Sequence, residues 1–394
     1  MNILMISDVY FPRVNGVSTS IMTFRGEMER TGHRVTLVAP DYGRGNGEEP
    51  GIVRIPSRRV PRDPEDRVMG PMGILARKEA LREEAFDIVH IHTPFVAHYV
   101  GVRLARQLGL PCVETYHTFF EEYLYHYVPL VPRPLMRALA RGLSRSQCNG
   151  VDALVVPSRA MRDALRGYGV TAPAEIIPTG IDLEQLGGGD GPAFRARHGI
   201  APERPLMVYV GRVAFEKNID FLLRMLVRVK GELPDALLVV AGEGPALGRL
   251  RKMAEALGLG ENVLFVGYLS RSGELLDCYR AGNAFVFASR TETQGLVLLE
   301  AMALGVPVVS TAVMGTKDVL GTGKGALIAE ENEEDFARKT VRLLRDRELQ
   351  AELSAAGREW ALQWGAGQMA SRLLDFYRAV GSRALARPVP RAAR

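Results

Sequence analysis

Asn283-Ala-Phe-Val-Phe-Ala-Ser289, followed by Arg290-Thr-Glu-Thr-Gln-Gly295 and then Leu296-Val-Leu-Leu-Glu-Ala-Met-Ala-Leu304, reads as strand, loop and helix. The first run is apolar and β-prone over the length of a strand, and the last is an apolar helix. A strand feeding a helix in this way is half of a βαβ unit, which predicts a parallel sheet whose ligands collect at the carboxyl ends of its strands. Glu292 on the loop and Glu300 eight positions on, in the helix, are placed to face that crevice. Between them the amides of Gln294, Gly295 and Leu296 lie at a helix N-terminus, where backbone donors and the helix dipole favour a phosphate. The pattern suits sugar hydroxyls at Glu292 and a ribose at Glu300. On spacing alone a solvated helix face carries glutamates in the same way, so the context has to decide.

Leu206-Met-Val-Tyr-Val210, Ala236-Leu-Leu-Val-Val-Ala241, Val263-Leu-Phe-Val266 and Val306-Pro-Val-Val-Ser310 punctuate helical stretches in the second half. The first half repeats the alternation, with Val35-Thr-Leu-Val-Ala39, Asp87-Ile-Val-His-Ile91, Cys112-Val-Glu-Thr115 and Ala153-Leu-Val-Val-Pro157. Short apolar strands between longer helical patterns read as buried parallel strands. The expected fold class is therefore α/β, with two doubly wound, Rossmann-like domains facing a cleft. Gly187-Gly-Gly-Asp-Gly-Pro192 is the densest cluster of breakers and the expected junction. The domains are then expected at 1–186 and 187–375, with 376–394 as an Arg-, Pro- and Ala-rich tail expected to be disordered.

A chain of 394 residues is long for one core, which agrees with two domains, and 47% apolar with 24% charged residues is the composition of a folded soluble enzyme. No segment reaches the roughly 18 to 20 apolar residues of a membrane span. Met1-Asn-Ile-Leu-Met-Ile-Ser-Asp8 is a strand pattern rather than a signal peptide, so the expected location is the cytosol. Cys112, Cys148 and Cys278 lack paired spacing and read as packing residues, neither disulfides nor zinc ligands. The net charge of +5 is modest, and nucleic acid is not an expected partner.

Two further loops join strands to helices. In Asp8-Val-Tyr-Phe-Pro-Arg-Val-Asn-Gly-Val-Ser18, Gly16 would let backbone approach a diphosphate and Ser18 is a natural N-cap, although an ordinary loop has the same look. In Val210-Gly-Arg-Val-Ala-Phe-Glu-Lys-Asn218, Arg212 and Lys217 offer a forked and a point charge suited to two phosphates, or to surface salt bridges. Gly242-Glu-Gly-Pro245 adds a Gly-x-Gly loop after the next strand, and Thr115-Tyr-His-Thr118 puts His117 at a strand end. A lone histidine there is either a packing residue or a functional one.

In this order the segments resemble the retaining GT-B glycosyltransferases of family 4, over nearly the whole chain to about residue 375. The shared motifs are Pro12-x-x-Asn-Gly-Val17, Gly211-Arg-x-x-x-Glu-Lys-Asn218, Gly242-x-Gly-Pro245, and Glu292-x7-Glu300 followed by Ala301-Met-Ala-x-Gly-x-Pro-Val-Val309. The resemblance implies Arg212 and Lys217 as a diphosphate clamp, Glu292 facing the donor sugar, Glu300 at the ribose, Gly16 at the diphosphate and His117 at the sugar and reaction centre. His117-Thr-Phe-Phe-Glu-Glu-Tyr-Leu-Tyr-His-Tyr-Val-Pro129, Ser144–Asn149, Val151–Ser158 and Glu292-Thr-Gln-Gly295 look like the branch containing bacterial diacylglycerol glucosyltransferases. Met314-Gly-Thr-Lys-Asp-Val319 departs from the commoner Gly-Gly-x-Pro-Glu.

The implied activity is transfer of a hexose, glucose favoured, from a nucleoside-diphosphate sugar, UDP-glucose favoured, to diacylglycerol or another lipid, with retention of configuration. No carboxylate nucleophile stands out in the first domain, which favours front-side displacement with the leaving diphosphate deprotonating the acceptor. No Asp-x-Asp site is evident, so neither a metal nor a further cofactor is expected. A transferase acting on lipopolysaccharide, capsule or another glycan, an enzyme using a sugar-phosphate acceptor, and a non-catalytic nucleotide-sugar-binding protein are the alternatives. Arg133, Arg137, Arg141 and Arg145 recur every four residues beside Leu135, Met136, Leu139 and Leu143, and no acidic residue falls between Tyr123 and Val151. Such a helix can lie in an anionic membrane interface, or simply pack its apolar face on its own domain. Arg54, Arg58, Arg59 and Arg62 form a second basic group, so a peripheral place on the inner membrane face is expected. Arg212→Ala and Lys217→Ala are each expected to lower turnover by at least ~10²-fold without affecting folding, because losing a stabiliser of transition-state charge costs about 3–4 kcal/mol. Steady-state kinetics check this, and near-normal turnover by either variant would remove the clamp.

Overall fold

A computed structural model describes residues 1–43, 49–60, 63–117, 133–271 and 273–385. It divides the chain into two compact units, Met1–Gly180 with Ala366–Arg394, and Ile181–Gly365.

Among the described residues, unit 1 is built on a parallel sheet in the order β3-β2-β1-β6-β7-β8-β9. Its strands are β1 (Asn2–Ile6), β2 (Arg34–Pro40), β3 (Ile52–Ile55), β6 (Ile88–Ile91), β7 (Cys112–Thr115), β8 (Ala153–Val156) and β9 (Ala174–Ile176), while β4 (Ser57–Val60) and β5 (Asp63–Met69) form a separate antiparallel hairpin. β1, β6, β7 and β8 are buried along their whole length, the mark of strands covered on both faces. The order reverses between β1 and β6, which places a topological switch point there.

Unit 2 repeats the design in a parallel sheet ordered β12-β11-β10-β13-β14-β15. The strands are β10 (Leu206–Val210), β11 (Leu237–Ala241), β12 (Val263–Gly267), β13 (Ala284–Phe287), β14 (Val308–Thr311) and β15 (Ala326–Ala329), with the switch point between β10 and β13. β13 runs through the Glu292 loop into the helix Leu296–Ala303, the strand, loop and helix read from the sequence. The molecule is α/β with two doubly wound, Rossmann-like halves.

The division falls elsewhere than 186/187 and 375/376. The last helix, Ala366–Leu385, belongs to unit 1, where Met369, Ala370, Leu373, Leu374, Tyr377 and Val380 recur at helical spacing and complete its core. Helix therefore continues through the first ten residues of the expected tail, and residues 386–394 lie outside the described residues. The glycine cluster is no linker either. Asp190 caps the helix Gly191–Arg197 by accepting from the Ala193 amide at 2.9 Å, and Gly191 packs so closely on the helix Glu274–Ala281 that a Cβ would lie 2.4 Å from the Arg280 carbonyl oxygen. Gly189 and Gly191 serve close packing inside unit 2.

Candidate functional site

At the switch point of unit 2 the loop after β10 carries Arg212 and Lys217. Val213 donates to the Glu243 carbonyl at 2.8 Å, and the Tyr209 hydroxyl donates to the Arg212 carbonyl at 3.2 Å. Gly242 makes this approach of neighbouring loops possible, since a Cβ there would lie 1.9 Å from the Gly211 carbonyl oxygen and its φ is +136°. The Gly-x-Gly motif is thus a packing device between two strand-end loops.

Asn218, in a left-handed conformation at φ 58°, ends the loop and donates from Nδ2 to the Ala288 carbonyl at 3.0 Å, tying it to the end of β13. That tie brings Lys217 Nζ within 2.5 Å of Glu292 Oε1, with both side chains largely buried. Beneath Glu292, the Gly315 amide donates to its carbonyl at 2.9 Å, and a Cβ on Gly315 would lie 1.9 Å from the Thr293 carbonyl oxygen. The segment Met314-Gly-Thr-Lys that departs from the commoner pattern is the floor of the Glu292 loop. The helix Leu296–Ala303 starts from Gly295 with no side-chain cap on its amides, and Gln294 is buried beside it.

Glu300 lies just over one helical turn beyond Leu296 and is buried. Its Oε1 meets Arg271 Nη2 at 2.5 Å and its Oε2 accepts from the Tyr279 hydroxyl at 2.8 Å. Burial, and then the Glu300 charge, push the Tyr279 phenol well above its ordinary pKa, so it stays a donor. Lys217 with Glu292, and Arg271 and Tyr279 with Glu300, are the two polar clusters of this strand-end surface. Arg271 and Tyr279 escaped the sequence reading. Their signal is position alone, Arg271 on the loop after β12 and Tyr279 on the helix Glu274–Ala281.

In unit 1, Gly16 opens the helix Gly16–Arg30, and a Cβ there would meet nothing within 4 Å. The cap is Asn15 rather than Ser18: Asn15 Oδ1 accepts from the Ser18 amide and Ser18 Oγ from the Asn15 amide, each at 2.9 Å, a reciprocal capping box. Asp8, beyond β1, is buried, bonded by the Thr93 hydroxyl at 2.8 Å and the Ala97 amide at 3.1 Å. Burial raises its carboxyl to about 6 against those donors.

His117 follows β7 and is half-buried, with Nε2 3.3 Å from Nδ1 of His92, which follows β6. Burial lowers His117 to about 4 and His92 well below its ordinary range. His90, inside β6, bonds the Tyr377 hydroxyl at 2.5 Å and Thr115 Oγ1 at 2.6 Å. The sequence reading found His117 but not His92 or Asp8, which share its strand-end position.

On the helix Arg133–Cys148, Met136, Ala140, Ser144 and Gln147 are buried, whereas Leu135, Leu139 and Leu143 are 53%, 57% and 36% exposed. Met136 therefore leaves the expected apolar stripe for the core. Arg137, Arg141 and Arg145 are exposed, Arg141 lying 5.4 Å over the Tyr168 ring, and the Arg133 side chain lies outside the described residues, as do 118–132. The second basic group is divided: Arg58 and Arg59 are exposed on β4, but Arg54 turns inward over the Tyr10 ring at 5.6 Å, and Arg62 lies outside the described residues. Cys112, Cys148 and Cys278 are free and buried. Among the described residues no group of three His, Cys, Asp or Glu side chains is placed to hold a metal, and no helix is long and apolar enough to cross a membrane.

The family model for Glycosyltransferase Family 4 matches residues 14–185, and that for Glycosyl transferases group 1 matches residues 190–360. The chain is 35% identical over 323 residues to the alpha-monoglucosyldiacylglycerol synthase of Streptococcus pneumoniae, covering 79% of this chain and 71% of that protein. It is 26% identical over 348 residues to the protein of the same name from Acholeplasma laidlawii, covering 85% and 86%. The crystal structure of Anabaena HepE in complex with UDP and glucose superimposes with a TM-score of 0.76 at 16% identity, over 96% of this chain and all of that one (100%). Two doubly wound halves, the two family matches and this level of identity together establish that the chain belongs to the GT-B glycosyltransferases of family 4, in the branch of the alpha-monoglucosyldiacylglycerol synthases.

Proposed function

We propose that this glycosyltransferase moves glucose from UDP-glucose to diacylglycerol, or a closely similar lipid, at the cytosolic face of a membrane, with retention of configuration and without a metal. The observation that carries the lipid acceptor is the exposed line of Leu135, Leu139 and Leu143. The helix already has a core-facing side in Met136, Ala140, Ser144 and Gln147, so packing on its own domain leaves these leucines uncovered. At about 100° per residue the arginines border the other side of the exposed surface, with small Ala138 and Gly142 between. Leucines to enter the interface and arginines for anionic headgroups make an interfacial helix. The relatives named for diacylglycerol glucosylation support the same acceptor and sugar, and the HepE complex supports the nucleotide.

In this reading Arg212, Lys217 and the amides of Gln294, Gly295 and Leu296 hold the diphosphate and stabilise the charge that develops as it leaves. Glu292 faces the sugar, His117 touches it, Glu300 receives the ribose, and Gly16 serves the diphosphate. The departing phosphate takes the proton of the attacking hydroxyl, so that the O–glycosyl bond forms on the face from which the diphosphate leaves.

Sedimentation with anionic vesicles is expected to fall as salt rises, each basic residue near the surface contributing about 1 kcal/mol. Arg137→Glu with Arg141→Glu should abolish it while leaving donor binding intact. Equal binding to neutral and anionic vesicles, or none to either, would move the acceptor to a soluble glycan.

Glu292→Gln is expected to impair sugar transfer while leaving affinity for UDP within a few-fold, and Glu300→Gln to do the reverse. Calorimetry with UDP beside transfer kinetics decides it. Equal loss of UDP binding in both variants would undo the division of roles.

A further inference from the structure

We propose that His92 is a positioning residue that fixes the tautomer of His117, so that His117 presents Nδ1–H to the transferred sugar and acts as a hydrogen-bond donor, not as a base. The inference rests on the reading that His117 touches that sugar. The two nitrogens of His92 are unequally satisfied. His92 Nδ1 lies 3.3 Å from His117 Nε2, while His92 Nε2 is buried without any hydrogen-bond partner, and His92 as a whole is 1% exposed. Burial, reinforced for His92 by the neighbouring rings of His90 and His117, keeps the rings uncharged near neutral pH, so each carries a single N–H.

Two assignments are then open. If His117 donates from Nε2, His92 must keep its own proton on Nε2, stranding an N–H in the interior. If His92 donates from Nδ1, only a bare lone pair is stranded. Orphaned buried N–H groups are rarer in folded proteins than under-satisfied acceptors, so the second arrangement prevails. His117 Nε2 is then occupied as an acceptor and its proton sits on Nδ1, which makes no hydrogen bond to a described residue.

The scaffold holds His92 in place. His92 lies against His90 with ring centroids 4.0 Å apart, and His90 is pinned on both nitrogens, by Tyr377 and Thr115. Tyr377 comes from the last helix of the chain, so the array runs from that helix through β6 to the end of β7.

The test combines NMR of the ring nitrogens in protein with isotope-labelled histidine and transfer kinetics with UDP-glucose and diacylglycerol vesicles. Wild-type His117, assigned through His117→Gln, should show a protonated Nδ1 and a bare Nε2. His92→Phe keeps the ring volume but removes the donor; it should mix the His117 tautomers and lower kcat at least ~10-fold with UDP affinity unchanged. His92→Asn places an amide N–H where Nδ1–H stood and should restore kcat to within a few-fold. A protonated Nε2 on wild-type His117, or equal loss in His92→Phe and His92→Asn, overturns the proposal. Full transfer by His117→Gln instead overturns the reading on which it rests. Should His92→Phe fail to fold, the wild-type spectrum and His92→Asn still decide.

Discussion

A parallel sheet covered on both faces can carry reactive polar groups cheaply only at its strand ends, because a polar side chain buried mid-strand without partners costs about 1–3 kcal/mol. The candidate site residues of both units follow this rule. Lys217, Glu292 and Arg271 follow β10, β13 and β12, and Asp8, His92 and His117 follow β1, β6 and β7. A buried carboxylate and a buried imidazole stand inside strands with partners instead: Glu114 in β7, met by His98 Nδ1 at 2.9 Å, and His90 in β6. Tyr377 and Thr115 satisfy both of its nitrogens, and burial lowers its pKa to about 3, so it resides there uncharged.

The two carboxylates of unit 2 meet the same constraint differently. Glu292 has one oxygen on Lys217, and since both side chains are largely buried, the desolvation of the two charges offsets much of their attraction, so the pair matters less for stability than for geometry. It fixes the ammonium at the strand-end loop, where the proposed function puts the diphosphate. Glu300 is more deeply placed, and an ionised carboxylate there needs both partners it has, Tyr279 behind and Arg271 in front. Tyr279 is wholly buried and the Arg271 side chain is not, so in the proposed reading a ribose hydroxyl at Glu300 would displace Arg271 while Tyr279 kept the carboxylate aimed.

Much of this was legible in the chain. The strand-loop-helix run at 283–304 is continuous in sequence, and its period and breakers announce themselves without tertiary information. Lys217 and Glu292 were legible one at a time, as charges on loops after predicted strands, though nothing in their 75-residue separation foretells the contact. Tyr279 hid inside an amphipathic helix, where an aromatic reads as core, and only its hydroxyl distinguishes it from packing. Asn15 and Ser18 are both good caps, and the reciprocal bond between them settles which is first. The glycines at 187–192 misled because local flexibility and close packing demand the same residue. The last helix misled because its partners, the core of unit 1, stand far back in the chain, Tyr377 meeting His90 across 287 positions. Leu135 and Met136 are neighbours of like hydropathy, and burial alone separates the core residue from the exposed one.

If a nucleotide-sugar site and an interfacial helix in one chain make a glycolipid, the product depends on both the donor and the lipid. Purified protein is given UDP-glucose, UDP-galactose and GDP-mannose in turn, with anionic vesicles containing or lacking diacylglycerol, and products are read by mass spectrometry. Monoglucosyldiacylglycerol is expected from UDP-glucose only when diacylglycerol is present. Transfer to a soluble glycan with none to diacylglycerol from any donor would contradict it.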